Sequence, residues 1–207
     1  MSWIFKSIYR SWCWLFKRNI EKSIMFNPYN DDDNDYIIID ELKHNKTPFF
    51  RKMSPPDKHT NNEHIELSYN EKRIIRIIMN YPHHNIVKYY KVNDRYIDME
   101  LLDTKKDFKK HKKEIIKIME NVKAYLQDLG VLYIDWKFDN IGYSKKDQTY
   151  KLFDFDVSGL IDTKTNKWLI KPPNYWNYDN AVKHNKTDPY DIDNYCFNYC
   201  FNCWIIE

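Results

Sequence analysis

The chain has 207 residues, 43% hydrophobic, 17% aromatic and 30% charged, enough apolar material for one moderate domain or a small two-lobed one. A net charge of +3 is too small to argue for nucleic acid as a partner, and the basic run from Lys105 to Lys113 reads as a solvated helix entrance. Four cysteines (Cys13, Cys196, Cys200, Cys203) make no disulfide framework; the last three share one helical face as buried thiols, which suits a reducing compartment.

Residues 1–19 read as a basic amphipathic helix. Ile4, Phe5, Ile8, Tyr9, Trp12, Leu15 and Phe16 share one face, and Lys6, Arg10, Lys17 and Arg18 take the other. Charge interrupts the segment too often for a bilayer span, and it lacks a small-residue cleavage site. Three roles fit: packing on the chain's own domain, docking on a partner, or peripheral membrane contact through residues 3–18.

Ser23 to Phe26 and Tyr36 to Asp40 have strand composition, and the loop between them carries Asp31, Asp32, Asp33 and Asp35. Pro48 to Met53 is a third strand, on which Arg51 and Lys52 must point to opposite faces. Asn70 to Ile78 is an apolar-periodic helix opening on Glu71, and it runs into Tyr81-Pro82-His83-His84-Asn85-Ile86-Val87. Tyr96 to Asp103 reads as a strand and its exit. Lys112 to Gly130 is an amphipathic helix on Ile115, Ile116, Ile118, Met119, Val122, Leu126 and Leu129, closed by a C′ glycine. Val131 to Ile134 follows as a short buried strand.

Two motifs come next. Tyr133-Ile134-Asp135-Trp136-Lys137-Phe138-Asp139-Asn140 gives D-x-K-x-x-N, and Lys151-Leu152-Phe153-Asp154-Phe155-Asp156 places a second aspartate fourteen residues after Asn140. Phosphoryl transfer from a metal-bound nucleotide needs such a set: a carboxylate to orient a hydroxyl, a cation near the γ-phosphate, and oxygen ligands for magnesium. The set resembles the catalytic loop and metal-binding motif of eukaryotic-type protein kinases, with Tyr-Ile-Asp for His-Arg-Asp and Asp-Phe-Asp for Asp-Phe-Gly. Short kinase-like proteins of large DNA viruses are the most similar type, and the Asn, Lys, Ile and Tyr bias agrees with that.

The resemblance implies an α+β, protein-kinase-like two-lobed fold with a truncated helical C-lobe, residues 20–103 forming the N-lobe and 104–207 the C-lobe. It implies ATP and Mg2+ as cofactors. Asp135 would be the catalytic carboxylate and Lys137 the cation at the transferring group, with Asn140 and Asp154 holding magnesium. Lys52 and Glu71 would hold the α- and β-phosphates. Met99 would back the adenine pocket, and the backbone of Glu100 to Leu102 would face the base. Lys171 to Trp176 stands near the family's Ala-Pro-Glu anchor, and Asp188 to Tyr195 resembles the start of helix αF, where Asp191 would brace the catalytic loop. A protein substrate or a host or viral binding partner follows, in the host cytoplasm or the virion.

Two departures keep alternatives open. The chain's three glycines are Gly130, Gly142 and Gly159, so the glycine loop that closes over nucleotide phosphates is absent. Asp156 replaces a glycine that frees the backbone, or adds a metal ligand. An impaired pseudokinase acting as a binding module therefore stands beside the protein Ser/Thr kinase, and a small-molecule phosphotransferase shares part of the motif set.

Overall fold

The computed structural model describes residues 23–25, 36–39, 48–53, 69–104 and 108–202. The helix expected over residues 3–17, the acidic loop, Cys13 and Cys203 lie outside them. Among the described residues no helix is long and apolar enough to cross a membrane.

An antiparallel five-stranded sheet comes first, with β1 (Ser23–Met25), β2 (Tyr36–Ile39), β3 (Phe49–Met53), β4 (Tyr89–Val92) and β5 (Tyr96–Glu100) in the order β1-β2-β3-β5-β4. The register sets Arg51 opposite Asp98 and Lys52 opposite Ile97. Helix α1 (Tyr69–Asn80) packs on β4, burying Ile74, Ile75 and Ile78 at helical spacing, together with Glu71 of its first turn. The turn after α1 ties this sheet to the rest of the molecule. Asn85 donates its side-chain N–H groups to Thr149 Oγ1 (2.8 Å) and the Tyr150 carbonyl (2.9 Å). Val87 N–H bonds the Leu152 carbonyl at 2.8 Å.

The second half is built on α2 (Lys112–Asp128), which a 3₁₀ turn at Lys109–His111 precedes. Its buried stripe is Ile115, Ile116, Met119, Val122 and Leu126, as the periodicity requires. Three short β elements follow: β6 (Val131–Leu132), the hairpin of β7 (Ile141–Ser144) and β8 (Thr149–Leu152), and the hairpin of β9 (Gly159–Asp162) and β10 (Lys167–Ile170). β9 pairs with both β6 and β10. Helices α3 (Trp176–Lys183) and α4 (Pro189–Asn202) complete the described chain, and α4 buries Ile192, Cys196, Phe197, Cys200 and Phe201. Cys196 and Cys200 are the buried thiols expected on this helix, and burial pushes the Cys196 pKa up.

The strand expected over Val131 to Ile134 is shorter, ending at Leu132. Tyr133 and Ile134 are buried but leave the ladder, and Ile134 adopts φ 66°, a left-handed conformation that disfavours a β-branched residue. Side chains from α3 and α4 hold it there.

Gly130 sits at φ 74°, where a Cβ would stand 2.8 Å from the Ile161 carbonyl oxygen, and Ile161 N–H bonds the Gly130 carbonyl at 2.8 Å. Glycine is required here by backbone conformation and by space. Gly130→Ala is expected to destabilise the fold by about 2 kcal/mol, read as a fall in melting temperature of roughly 4–8 °C.

Candidate active site

Strand alternation places the two basic residues of β3 on different errands. Arg51 makes a two-pronged pair with Asp98 (2.5 and 2.8 Å) and lies over the Tyr96 ring at 3.9 Å from its centroid. Lys52, on the other face, donates from Nζ to Glu71 Oε1 at 2.9 Å and to Asp154 Oδ1 at 2.8 Å. Asp156 Oδ2 lies 3.9 Å from the same nitrogen. Three separated pieces of sequence thus meet at one ammonium group: a strand, a helix N-terminus and the segment after β8. Burial works to lower the Lys52 pKa, but Asp154, Glu71 and Asp156 outweigh it and hold the group firmly charged. Burial pushes the Glu71 carboxyl up despite Lys52.

Asp154 reaches Lys52 from φ 64°, a left-handed conformation that aspartate tolerates better than most residues. An aromatic column supports it from behind. Tyr89 of β4 meets Phe155 edge-on at 6.4 Å, Phe155 meets Tyr133 at 5.1 Å, and Tyr133 meets Trp136 at 4.8 Å. Trp136 in turn packs on Phe197 of α4 at 5.0 Å. The Tyr133 hydroxyl donates to the Phe153 carbonyl at 2.6 Å, which fixes the chain just before Asp154.

The loop between β6 and β7 carries the other polar groups. Asp135 is 2% exposed. Its Oδ2 accepts from Lys137 Nζ and from Asn140 Nδ2, each at 2.8 Å, and its Oδ1 is buried without a partner. Asn140 also gives its amide to the Asp135 carbonyl at 3.1 Å, while its own backbone carbonyl accepts from Phe153 N–H at 3.0 Å. With its amide N–H groups so engaged, Asn140 keeps its side-chain oxygen as an acceptor, and its backbone is one hydrogen bond from Phe153, the residue before Asp154. Lys137 additionally donates to the Tyr175 hydroxyl at 3.3 Å. Burial works against its charge, and Asp135 more than restores it.

At the cleft edge, Met99 is buried and pairs with Phe50 across the sheet. Glu100 turns its carboxylate away from the cleft, accepting from Ser144 Oγ and from Lys151 Nζ, and its N–H bonds the Lys88 carbonyl at 2.8 Å. Leu102 lies against Gly142, where a Cβ would come within 2.5 Å of the Leu102 Cβ. Asp103 and Tyr143 exchange backbone hydrogen bonds at 2.9 and 3.0 Å, pinning the segment after β5 to β7.

Among the described residues, no three His, Cys, Asp or Glu side chains stand together as a metal cage. The donor set suits magnesium nevertheless, because that ion takes one or two protein oxygens and completes its shell with water and phosphate. Asn140 and Asp154 are such donors, and the unpartnered Asp135 Oδ1 faces no competing hydrogen-bond donor.

The chain matches no family model and no curated protein. Among solved structures it is similar to the Cydia pomonella granulovirus kinase PK-1, with a TM-score of 0.56 and 16% identity over 93% of this chain and 70% of that one. The fold is protein-kinase-like. It joins a sheet with one helix to a small helix-dominated C-lobe, and the Lys52–Glu71 pair has the pattern of kinase cores.

One kinase-derived expectation is corrected by this structure. The residue bracing the Asp135 loop is Asp193, and the exposed Asp191 instead gives its backbone N–H to Asp188 Oδ1 at 3.2 Å. Asp193, 1% exposed, accepts from Trp136 Nε1 (2.7 Å), Gln127 Nε2 (2.8 Å) and Ile134 N–H (3.3 Å). Asn177 of α3 donates to the Ile134 carbonyl at 3.4 Å. Both polar groups of the strained Ile134 peptide segment are thus held by side chains. Burial pushes the Asp193 carboxyl up, and its three donors pull it back. The sequence did contain the signal, because 193, 197 and 200 share the apolar face of α4 whereas 191, 195 and 198 do not. Tyr175, which orients Lys137, carried no comparable mark.

Asp193→Ala is expected to destabilise the fold by about 3 kcal/mol, since the indole N–H and the Ile134 N–H are left buried without an acceptor. Asp191→Ala should change stability by about 0.5 kcal/mol or less in chemical denaturation. Equal effects at the two positions would contradict the assignment.

Proposed function

We propose that the chain is an ATP- and magnesium-dependent phosphotransferase that moves the γ-phosphoryl group to a Ser/Thr hydroxyl of a protein. The observation that carries this reading is the meeting of Lys52, Glu71 and Asp154 at one ammonium group beside the Asp135 loop. Lys52 would take the nucleotide phosphates, oriented by Glu71. Met99, the Glu100 carbonyl and Leu102 would line the base. Asn140 and Asp154 would hold magnesium, which supplies neutralisation of the charge that gathers on the phosphoryl oxygens.

The two oxygens of Asp135 divide the work. Oδ2 is fixed by Lys137 and Asn140, so Oδ1 is the oxygen able to orient the substrate hydroxyl and accept its proton. Lys137, tethered between Asp135 and Tyr175, would stand beside the transferring group. The resemblance to a granulovirus kinase supports a viral protein, and the host cytoplasm or the virion is where such a protein would act.

A second reading is a pseudokinase that binds a host or viral protein. It is favoured by one observation, that the first glycine of the chain is Gly130, which leaves no glycine loop to close over phosphates.

Titrating the chain with ATP in a thermal-shift assay should stabilise it when magnesium is present, and Asp154→Asn should remove that dependence. In a phosphotransfer assay on a general protein substrate, Asp135→Asn should lower the rate by about 10²–10⁴ while nucleotide binding stays unchanged. A wild-type chain that binds nucleotide and transfers nothing would establish the pseudokinase instead.

A further inference from the structure

Asp156 is a charge that the family does not carry at this position. It stands where a glycine would leave space beside the phosphate-holding lysine. Lys52 Nζ can donate three hydrogen bonds, and two of them go to Glu71 Oε1 at 2.9 Å and Asp154 Oδ1 at 2.8 Å. Asp156 Oδ2 lies 3.9 Å away, within ion-pair reach. The other oxygen, Oδ1, is buried and without a partner, although the side chain as a whole is 44% exposed. Asp135, nearly fully buried in the same centre, also has an unpartnered oxygen. Four carboxylates (Glu71, Asp135, Asp154, Asp156) therefore face two ammonium groups, Lys52 and Lys137. Such a centre repels polyphosphate unless further positive charge arrives with it.

We propose that Asp156 makes nucleotide binding by this chain conditional on a divalent cation. It competes with phosphate oxygens for the third donor of Lys52, and it offers the incoming cation a carboxylate oxygen beside Asp154. Without the cation, phosphate meets Asp156 across Lys52 and is turned away. With it, the same carboxylate helps draw the ion and the nucleotide together. Asp156 is thus a specificity-determining residue that selects the metal–nucleotide complex over the free nucleotide, a selection that lids of backbone N–H groups do not make by charge. The inference rests on the phosphotransferase reading above.

The test measures ATP affinity by calorimetry with magnesium and with a chelator, in the wild type, Asp156→Asn and Asp156→Glu. Asparagine has nearly the same size, so the fold should persist, and circular dichroism checks that it does. The wild type should show a large ratio between the two affinities. Asp156→Asn should bind free ATP more tightly and magnesium–ATP less tightly, shrinking that ratio by about tenfold or more. Asp156→Glu keeps the charge and should keep most of the ratio. A second readout needs no nucleotide: the electron paramagnetic resonance signal of free Mn2+ should fall on adding wild-type chain and fall less with Asp156→Asn. An unchanged ratio in Asp156→Asn, with ATP still bound, overturns the inference and leaves the phosphotransferase reading standing. Identical behaviour of the Asn and Glu variants also overturns it, because charge would then not be the cause. Absence of ATP binding in all three chains overturns both.

Discussion

The site depends on one ammonium group. Lys52 Nζ binds Glu71 of α1 and Asp154 of the segment after β8, joining three elements at one buried centre. Bringing a lysine and two carboxylates out of water is expensive, and attraction offsets it only where geometry and hydrogen bonding are good. Here they are: both bonds are under 3 Å, and the strand, the helix and the loop each have an independent apolar anchor. Ile74, Ile75 and Ile78 set the height of α1 on the sheet, and the Tyr89–Phe155–Tyr133 column sets the depth of Asp154. The polar centre is therefore positioned by packing and finished by charge.

The second constraint acts on the Asp135 loop. Ile134 at φ 66° is strained by an amount on the order of 1–3 kcal/mol. Asp193 and Asn177 hold its two backbone groups, and Asp193 simultaneously takes the indole N–H of Trp136, two residues further on. The strain turns the chain sharply between Tyr133, which faces the aromatic column, and Asp135, which faces Lys137 and Asn140. Without that turn a strand continuing through residue 134 would alternate side chains across a sheet, and the three residues could not serve three different neighbours.

Much of this was legible in the sequence, for identifiable reasons. The Lys112–Asp128 helix shows because its buried positions recur at helical spacing, and the Asp135–Asn140 loop shows because its chemistry depends on short, fixed intervals. Strand alternation showed that only one of Arg51 and Lys52 could face α1, the nineteen-residue spacing to Glu71 favoured Lys52, and Lys52 is the one that bonds Glu71. What stayed hidden was long-range and depended on orientation. The end of β6 at Leu132 is imposed by residues some 45 to 60 positions later, whose effect no local pattern carries. Asp191 and Asp193 differ by two residues, so a motif aligned by its surroundings alone slips between them, whereas the apolar face of α4 separates them. The turn of the Glu100 carboxylate toward Ser144 and Lys151 was equally invisible, because both partners lie on a later hairpin.

The arrangement of buried charge says something about purpose. A chain that needed only this scaffold could replace Lys52, Glu71 and Asp154 by apolar side chains of similar volume at little loss of stability or some gain, since buried ion pairs are weak sources of it. The same holds less well for Asp193, whose carboxylate accepts from a strained backbone and fixes it. Two kinds of carboxylate are thus present. Asp193 has its donors around it and is finished as a structural part. Asp135 and Asp156 each keep a buried oxygen unpartnered, which costs stability and leaves those atoms ready for a group from outside the chain. The unfinished carboxylates thus stand beside Lys52 and in the Asp135 loop, whereas the finished one binds the backbone and indole of that same loop.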